Sequence, residues 1–123
     1  MKDPLIVVTG SSRGIGQGVT ELLCGDGFLV AGVDVRDGAE TAERAGGRFR
    51  HFACDLVDPD AIVATFAEID DAYGVPPWGL AYVAGVAPEV PFLETTPEMI
   101  DKVMAVNVSE VIYQDRRRAA PQY

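Results

Sequence analysis

The stretch that decides the fold is Leu5-Ile-Val-Val-Thr-Gly-Ser-Ser-Arg-Gly-Ile-Gly16. It opens with Leu5 to Thr9, a short apolar run rich in β-branched residues, which is typical of a strand buried on both faces of a parallel sheet. Glycines follow at positions 10, 14 and 16. Apolar residues then recur at the spacing of a helix face, at Ile15, Val19, Leu22 and Leu23. The stretch predicts a strand, a glycine-rich loop and an amphipathic helix in direct succession.

The glycine loop has the chemistry that a diphosphate requires. Gly10 permits a sharp turn, Gly14 has no side chain to block a pyrophosphate, and Gly16 lets the helix pack near the strand. The helix N-terminus adds unpaired N–H donors and a partial positive charge. A glycine triplet alone also fits a flexible turn, so the flanking strand and helix support the prediction. We predict a dinucleotide site whose loop residues are Gly10, Ser12, Arg13, Gly14, Ile15 and Gly16.

Asp34 lies 18 residues past Gly16 and closes a second apolar run, over 28–33. A carboxylate at this position can accept both hydrogen bonds of an adenosine ribose diol, and it would repel a 2′-phosphate. The residue therefore favours NAD over NADP. Arg13 and Arg36 weaken this preference for NAD, since either cation could pair with a phosphate. The alternative for Asp34 is a turn residue at a strand end.

Strands and helices alternate along the rest of the chain. Further strands are predicted over 48–54 and 78–84, and a short helix over 37–45. Two helices start with a capping residue followed by proline, at Asp58-Pro59 and Thr96-Pro97, and the second is expected to reach about Ala120. This order predicts an α/β fold, a Rossmann-like doubly wound parallel sheet truncated after its fourth strand and following helix. Residues 1–123 then form a single, partial NAD-binding domain.

The composition argues against a nucleic-acid partner, a membrane span and a metal site. The 123 residues are 48% hydrophobic and carry a net charge of -9, so we expect no nucleic-acid partner. No stretch approaches the length of a membrane span, and a cytoplasmic location is expected. Cys24 and Cys54 are expected to be reduced and buried. With a single histidine, His51, no metal site is predicted.

These features together resemble the short-chain dehydrogenase/reductase family, whose glycine pattern is Thr-Gly-x-x-x-Gly-Ile-Gly. Cys54-Asp55-Leu56 looks like the family's Asp-hydrophobic pair, which cradles adenine, and Ala84-Gly85 looks like the end of its Asn-Asn-Ala-Gly. The resemblance implies cofactor contacts for Asp55, Leu56, Ala84 and Gly85. It also implies a catalytic role for Asn107, which in the family holds a water of a proton relay. Without the family, Asn107 on an apolar stripe could equally be a structural amide.

Two departures from the family pattern bear on function. Tyr82-Val83 stands where the family usually has Asn-Asn, which removes the amide that the resemblance implies as a brace of the central strand beside the cofactor. The family's catalytic Ser, and its Tyr four residues before a Lys, would follow the asparagine helix. The resemblance implies an oxidoreductase that transfers hydride between NAD and a small alcohol or ketone, truncated before these residues and inactive alone. The alternative is a non-catalytic NAD-binding module, or a partner of a full-length relative.

The edge of the predicted sheet also has a consequence for assembly. In the family the fourth strand is flanked by the first and the fifth, so here 78–84 would be an edge. An apolar edge strand presents unpaired N–H and C=O groups to other chains. The apolar face of the helix that starts at Pro97 would lose its cover as well. Self-association is therefore expected.

Overall fold

Four parallel strands form one sheet in the order β3-β2-β1-β4. The computed structural model describes residues 3–85 and 91–105. The strands are β1 (Leu5–Thr9), β2 (Leu29–Asp34), β3 (Phe49–Ala53) and β4 (Gly79–Tyr82). The predicted parallel sheet is confirmed. Its strands differ from the predicted ranges by one or two residues at their ends, and Asp34 is the last residue of β2 instead of the residue after it.

β1 lies in the middle of the sheet, which explains its unbroken apolar run. It pairs with β2 on one side, where Val7 is opposite Ala31, and with β4 on the other, where Val7 is opposite Leu80. Every β1 residue is buried, including the polar Thr9. A strand with neighbours on both edges and helices over both faces leaves no position for an exposed polar side chain.

Helices cover both faces of the sheet. They are α1 (Gly14–Gly25), α2 (Ala39–Ala45), α3 (Pro59–Tyr73) and α4 (Pro97–Met104), with a 3-10 turn at Phe92–Glu94. Side chains of β1 alternate between two cores, so Leu5 and Val7 pack on the α3 side and Ile6 and Val8 on the α1 side. The doubly wound arrangement is therefore confirmed.

The buried face of α1 differs from the predicted one. Ile15 and Leu22 are 77% and 66% exposed, whereas the buried residues are Gly16, Thr20 and Cys24. These three small residues are spaced by four, so they lie in one row along the helix. A row of small side chains lets α1 lie close to the sheet, and the larger Val19 and Leu23 fill the flanks of that contact.

Both predicted helix starts are confirmed by their capping geometry. The Asp58 side chain accepts hydrogen bonds from the backbone N–H groups of Asp60 and Ala61, and the Thr96 hydroxyl accepts one from Met99. Gly74 ends α3 in the left-handed conformation, with φ of 67°. The buried stripe of α3 contains Ile62, Phe66 and Ile69, while Val63 lies at its exposed margin.

Both cysteines are buried and form no disulfide, as predicted. Burial raises the pKa of the Cys24 thiol, which keeps it protonated. Among the residues that the structure describes, no helix has the length and apolar character needed to cross a bilayer.

Within the described ranges, 3–85 and 91–105, the β4 edge of the sheet and the helix α4 are largely uncovered. β4 pairs with β1 alone, and its residues are only half-buried. None of the α4 residues is buried, and the apolar Ile100 and Met104 are 54% and 49% exposed. The predicted continuation of this helix to Ala120, and Asn107 within it, lie outside the described residues.

Candidate functional site

The glycine loop lies at the carboxyl end of β1, in the middle of the sheet, and two of its glycines are required by packing. Gly10 has φ of 76°, and a Cβ on it would lie 2.8 Å from the Ala84 backbone. A Cβ on Gly16 would lie 2.6 Å from the Gly10 carbonyl carbon and closer still to its oxygen. Gly10 therefore allows the segment after β4 to approach the loop, and Gly16 allows α1 to start directly against it.

Gly14 has a different role from the other two glycines. Its φ is 59°, and nothing lies within 4 Å of the position that a Cβ would take. The left-handed conformation favours glycine, and the open space leaves its backbone accessible. Of the three glycines, Gly14 is the one whose surroundings suit the close approach of a ligand.

The start of α1 also differs from the starts of α3 and α4. Arg13 occupies the N-cap position of α1, but its side chain makes no capping hydrogen bond. The first N–H groups of a helix need partners, and they are positively polarised by the helix dipole. Whereas Asp58 and Thr96 satisfy such groups in α3 and α4, the start of α1 leaves its donors for an anion.

Asp34 is held in place by two backbone donors. The Ser12 N–H donates to its Oδ2 at 3.1 Å, and the Arg36 N–H donates to its Oδ1 at 2.9 Å. A carboxylate oxygen can accept two hydrogen bonds, so each oxygen of Asp34 retains one accepting position. The carboxylate is thus fixed in orientation and still able to accept a pair of hydroxyl groups.

A cavity of about 840 Å³ opens at this edge of the sheet. Its volume is in the range of small-molecule and cofactor sites. The loop, the ends of three strands and the start of the following segments all contribute to its wall. It brings together the predicted Gly10, Arg13, Gly14, Ile15, Gly16, Asp34, Asp55, Leu56, Ala84 and Gly85.

One predicted loop residue lies elsewhere. Ser12 is 7% exposed and does not line the cavity. Its hydroxyl donates to the Arg36 carbonyl oxygen at 3.1 Å. The Ser12 side chain therefore supports the wall of the site from behind.

The cavity also contains residues outside the predicted set of cofactor contacts, among them Arg36, which the sequence indicated only as a partner for a phosphate. Some follow the carboxyl ends of β2, β3 and β4, where the rule that ligands bind at that edge of a parallel sheet could have found them. Others come from α4, and only the tertiary structure places them here. The additional residues are Val35, Arg36, Cys54, Val57, Val83, Asp101, Lys102 and Ala105.

Asp55 sits in a turn that its own side chain stabilises. Its Oδ1 accepts from the Val57 N–H at 3.1 Å, and its carbonyl accepts from the Asp58 N–H at 3.1 Å. The adjacent Leu56 is buried in the α3-side core. This turn gives the cavity a wall that is apolar at Leu56 and polar at Asp55.

The segment after β4 is braced despite Tyr82-Val83 in place of the amide pair. The buried Thr9 hydroxyl oxygen accepts from the Val83 N–H at 3.1 Å and from the Ala84 N–H at 3.3 Å. The Val83 N–H also donates to the Thr9 carbonyl oxygen at 3.3 Å, so the side chain and the main chain of Thr9 together hold the segment that follows β4. Ala84 is consequently held against Gly10.

Tyr73 does not have the character of an activated base. Tyr73, the last residue of α3, packs on Phe52 with ring centroids 6.3 Å apart. Burial raises its pKa, which is the opposite of what a tyrosine general base requires. Residues 3–85 and 91–105 contain no cluster of side chains that could hold a metal ion.

Comparison with known proteins identifies relatives over nearly the whole chain. The sequence profile of the family described as short chain dehydrogenase matches residues 4–117. An acetoacetyl-CoA reductase of Synechocystis sp. is 34% identical over 113 residues, which are 92% of this chain and 45% of that protein. A 2,5-dichloro-2,5-cyclohexadiene-1,4-diol dehydrogenase of Sphingobium indicum is 32% identical, covering 85% of this chain and 42% of its own length.

Solved structures agree with these sequence matches. The crystal structure of a 3-oxoacyl-(acyl-carrier protein) reductase from Brucella melitensis superposes with a TM-score of 0.85 at 28% identity. The superposition covers 98% of this chain and 50% of that one. The chain thus spans about half the length of the relatives it matches.

Proposed function

Because this chain belongs to the short-chain dehydrogenase family, we propose that it binds a nicotinamide dinucleotide and prefers NAD to NADP. The observation that supports this most is the presence of two complementary features in one cavity. The accessible Gly14 backbone lies at the uncapped start of α1, where it suits a pyrophosphate. The oriented Asp34 carboxylate lies on the same wall, where it suits a ribose diol.

The remaining lining residues fit the rest of such a ligand. Leu56 and Val35 give apolar surface beside Asp34, suited to the faces of an adenine ring, and Asp55 adds a polar edge. The Gly10 and Ala84 backbones lie on the other side of the loop. In this proposal the chain binds and orients the dinucleotide, which itself supplies the site of hydride transfer when bound.

The preference for NAD follows from the balance of charges around Asp34. Its half-buried carboxylate is fixed by two N–H donors, so a 2′-phosphate would meet a negative charge that cannot move away. Arg13 and Arg36 line the same cavity, but both are exposed to solvent. Attraction by exposed cations is weakened by water and salt. We expect the repulsion to outweigh it.

The activity that we propose for the whole protein is hydride transfer between NAD and a small alcohol or ketone. Within it, these residues supply the cofactor site, and Asn107 takes part in a proton relay, a role carried over from the family. The 123 residues contain no tyrosine followed four positions later by lysine. The second candidate is a non-catalytic NAD-binding module or a partner of a full-length relative.

Asp34→Ala is expected to reduce the preference for NAD about tenfold or more, because it removes both ribose acceptors and the repulsion of a 2′-phosphate. Isothermal titration of the purified chain with NAD and with NADP measures the ratio of the two dissociation constants. Asp26→Ala is the matched control, since it makes the same charge change at the far end of α1. Equal affinity of the unmutated chain for both cofactors would refute the role of Asp34.

Self-association of the chain is also expected. Among the residues that the structure describes, β4 pairs with β1 alone and Ile100 and Met104 of α4 are exposed, and a second copy can cover this apolar surface. Light scattering after size-exclusion chromatography, at micromolar concentration without NAD, should show oligomers. Ile100→Lys should shift them toward monomer, whereas Leu22→Lys, at an exposed position of α1, should not. A single monomeric peak with a cooperative thermal transition for the unmutated chain would contradict this expectation.

A further inference from the structure

We propose that Ser12 is a positioning residue for cofactor selection, whose buried hydroxyl keeps the Asp34 carboxylate oriented by holding the main chain of Arg36. This inference rests on the proposed dinucleotide site and deepens it. Ser12 would act without touching the cofactor through its side chain. The inference explains why a polar residue of the glycine loop points away from the cavity that the loop borders.

Ser12, Asp34 and Arg36 form a closed set of hydrogen bonds. Ser12 donates through its N–H to Asp34 Oδ2 and through its hydroxyl to the Arg36 carbonyl oxygen, each at 3.1 Å. Arg36 in turn donates its N–H to Asp34 Oδ1 at 2.9 Å. Every member of this set is therefore held by the other two. The Ser12 hydroxyl joins the two residues that orient Asp34 directly to each other.

The hydrogen bonds of this set restrain two different groups, the Asp34 carboxylate and the turn after β2. The two N–H groups fix the plane of the carboxylate, so that its remaining accepting positions stay together on the cavity side. The Arg36 N–H can do this only while the turn after β2 keeps its orientation. That turn is exposed at Val35, Arg36 and Asp37, so little packing restrains it. The hydroxyl of Ser12 supplies a restraint from the buried side.

The restraint on the Arg36 main chain affects the choice between NAD and NADP. Arg36 carries both the N–H that orients Asp34 and a guanidinium group that could pair with a 2′-phosphate. Releasing the main chain of Arg36 loosens Asp34 and gives the guanidinium more freedom. Both effects favour NADP over NAD. The Ser12 hydroxyl therefore strengthens the discrimination that Asp34 provides.

The test compares two neighbouring serines. Ser12→Ala and Ser11→Ala each remove one buried hydroxyl from the same loop, but the Ser11 hydroxyl has no hydrogen-bond partner among the described residues. Affinities for NAD and for NADP are measured by isothermal titration of the full chain. Ser12→Ala should lower the ratio of affinities for NAD over NADP about three- to tenfold, the factor that corresponds to one lost hydrogen bond. Ser11→Ala should leave the ratio unchanged.

Three further variants separate positioning from general damage. In an Asp34→Ala background, Ser12→Ala should change the ratio less than in the parent chain, because there is no carboxylate left to orient and only the freedom of the Arg36 guanidinium still differs. Ser12→Thr, which retains the hydroxyl, should keep the parent ratio. Ser12→Gly removes the same hydroxyl and is measured in parallel, so that poor folding of one variant leaves the comparison intact.

The outcomes distinguish this inference from the proposed function. An unchanged ratio in both Ser12→Ala and Ser12→Gly would overturn the inference, as would an equal change in the Asp34→Ala background. The proposed function would survive either result if the parent chain still prefers NAD in an Asp34-dependent manner. A parent chain that binds neither cofactor would overturn both.

Discussion

A polypeptide of residues 1–123 is expected to show no measurable oxidation of NADH with simple ketones, and no reduction of NAD with secondary alcohols. The physical reason is the lack of the family's tyrosine and lysine pair, since the 123 residues contain no Tyr-x-x-x-Lys. Tyr73 does not replace that pair, because burial raises its pKa and its ring packs on Phe52. A general acid or base contributes typically about 10²–10⁴-fold to the rate, so turnover is expected to fall at least that far below the rate of an enzyme that has one.

The measurement is NADH absorbance over hours at high enzyme concentration, with Gly14→Val as the control for any signal. Valine at Gly14 would occupy the open space beside this glycine, where the proposed function places a pyrophosphate, so it should remove activity that depends on the proposed site. Turnover that Gly14→Val abolishes would contradict the expectation and would favour the catalytic hypothesis for this chain. Turnover that persists in Gly14→Val would come from another protein in the preparation.

Gly16→Ala is expected to reduce the stability of the fold, whereas Gly14→Ala is expected to reduce the affinity for NAD. A methyl group at Gly16 meets the Gly10 backbone, which has no means of moving aside without displacing the loop. We expect this substitution to lower the free energy of unfolding by about 3 kcal/mol or more, the upper range for overpacking. A methyl group at Gly14 meets nothing within 4 Å, but it strains the left-handed backbone by about 1–2 kcal/mol. Gly14→Ala should therefore keep the fold and weaken NAD binding about tenfold or more.

Gly18→Ala is the matched control for both substitutions. Gly18 is exposed in α1 with open space around it, and alanine there should stabilise the helix by about 1 kcal/mol. Urea denaturation followed by circular dichroism gives the unfolding free energies, and titration with NAD gives the affinities. A Gly16→Ala chain as stable as the parent would show that α1 does not start as close to the loop as described. A Gly14→Ala chain with parental affinity would refute the assignment of this glycine to the pyrophosphate.

The amino-acid sequence by itself determined the features that depend on near neighbours. The β-branched run of β1 predicted a strand covered on both faces, and the structure buries all of it. The caps Asp58 and Thr96 could be predicted from the sequence because a capping side chain bonds to N–H groups two or three residues ahead. The glycine spacing was informative for the same reason, since turn geometry and helix start are set within a few residues.

Only the tertiary structure decided which surface each element uses and what supports the site. The predicted face of α1 was partly wrong because hydrophobic spacing cannot reveal that the sheet approaches closely enough to require Gly16, Thr20 and Cys24. The direction of Ser12 and the brace at Thr9 depend on partners 24 and 74 or 75 positions away. Such contacts exist only after separate strands have been placed side by side. Local pattern therefore specifies the parts, whereas long-range hydrogen bonding and close packing determine how the site is held.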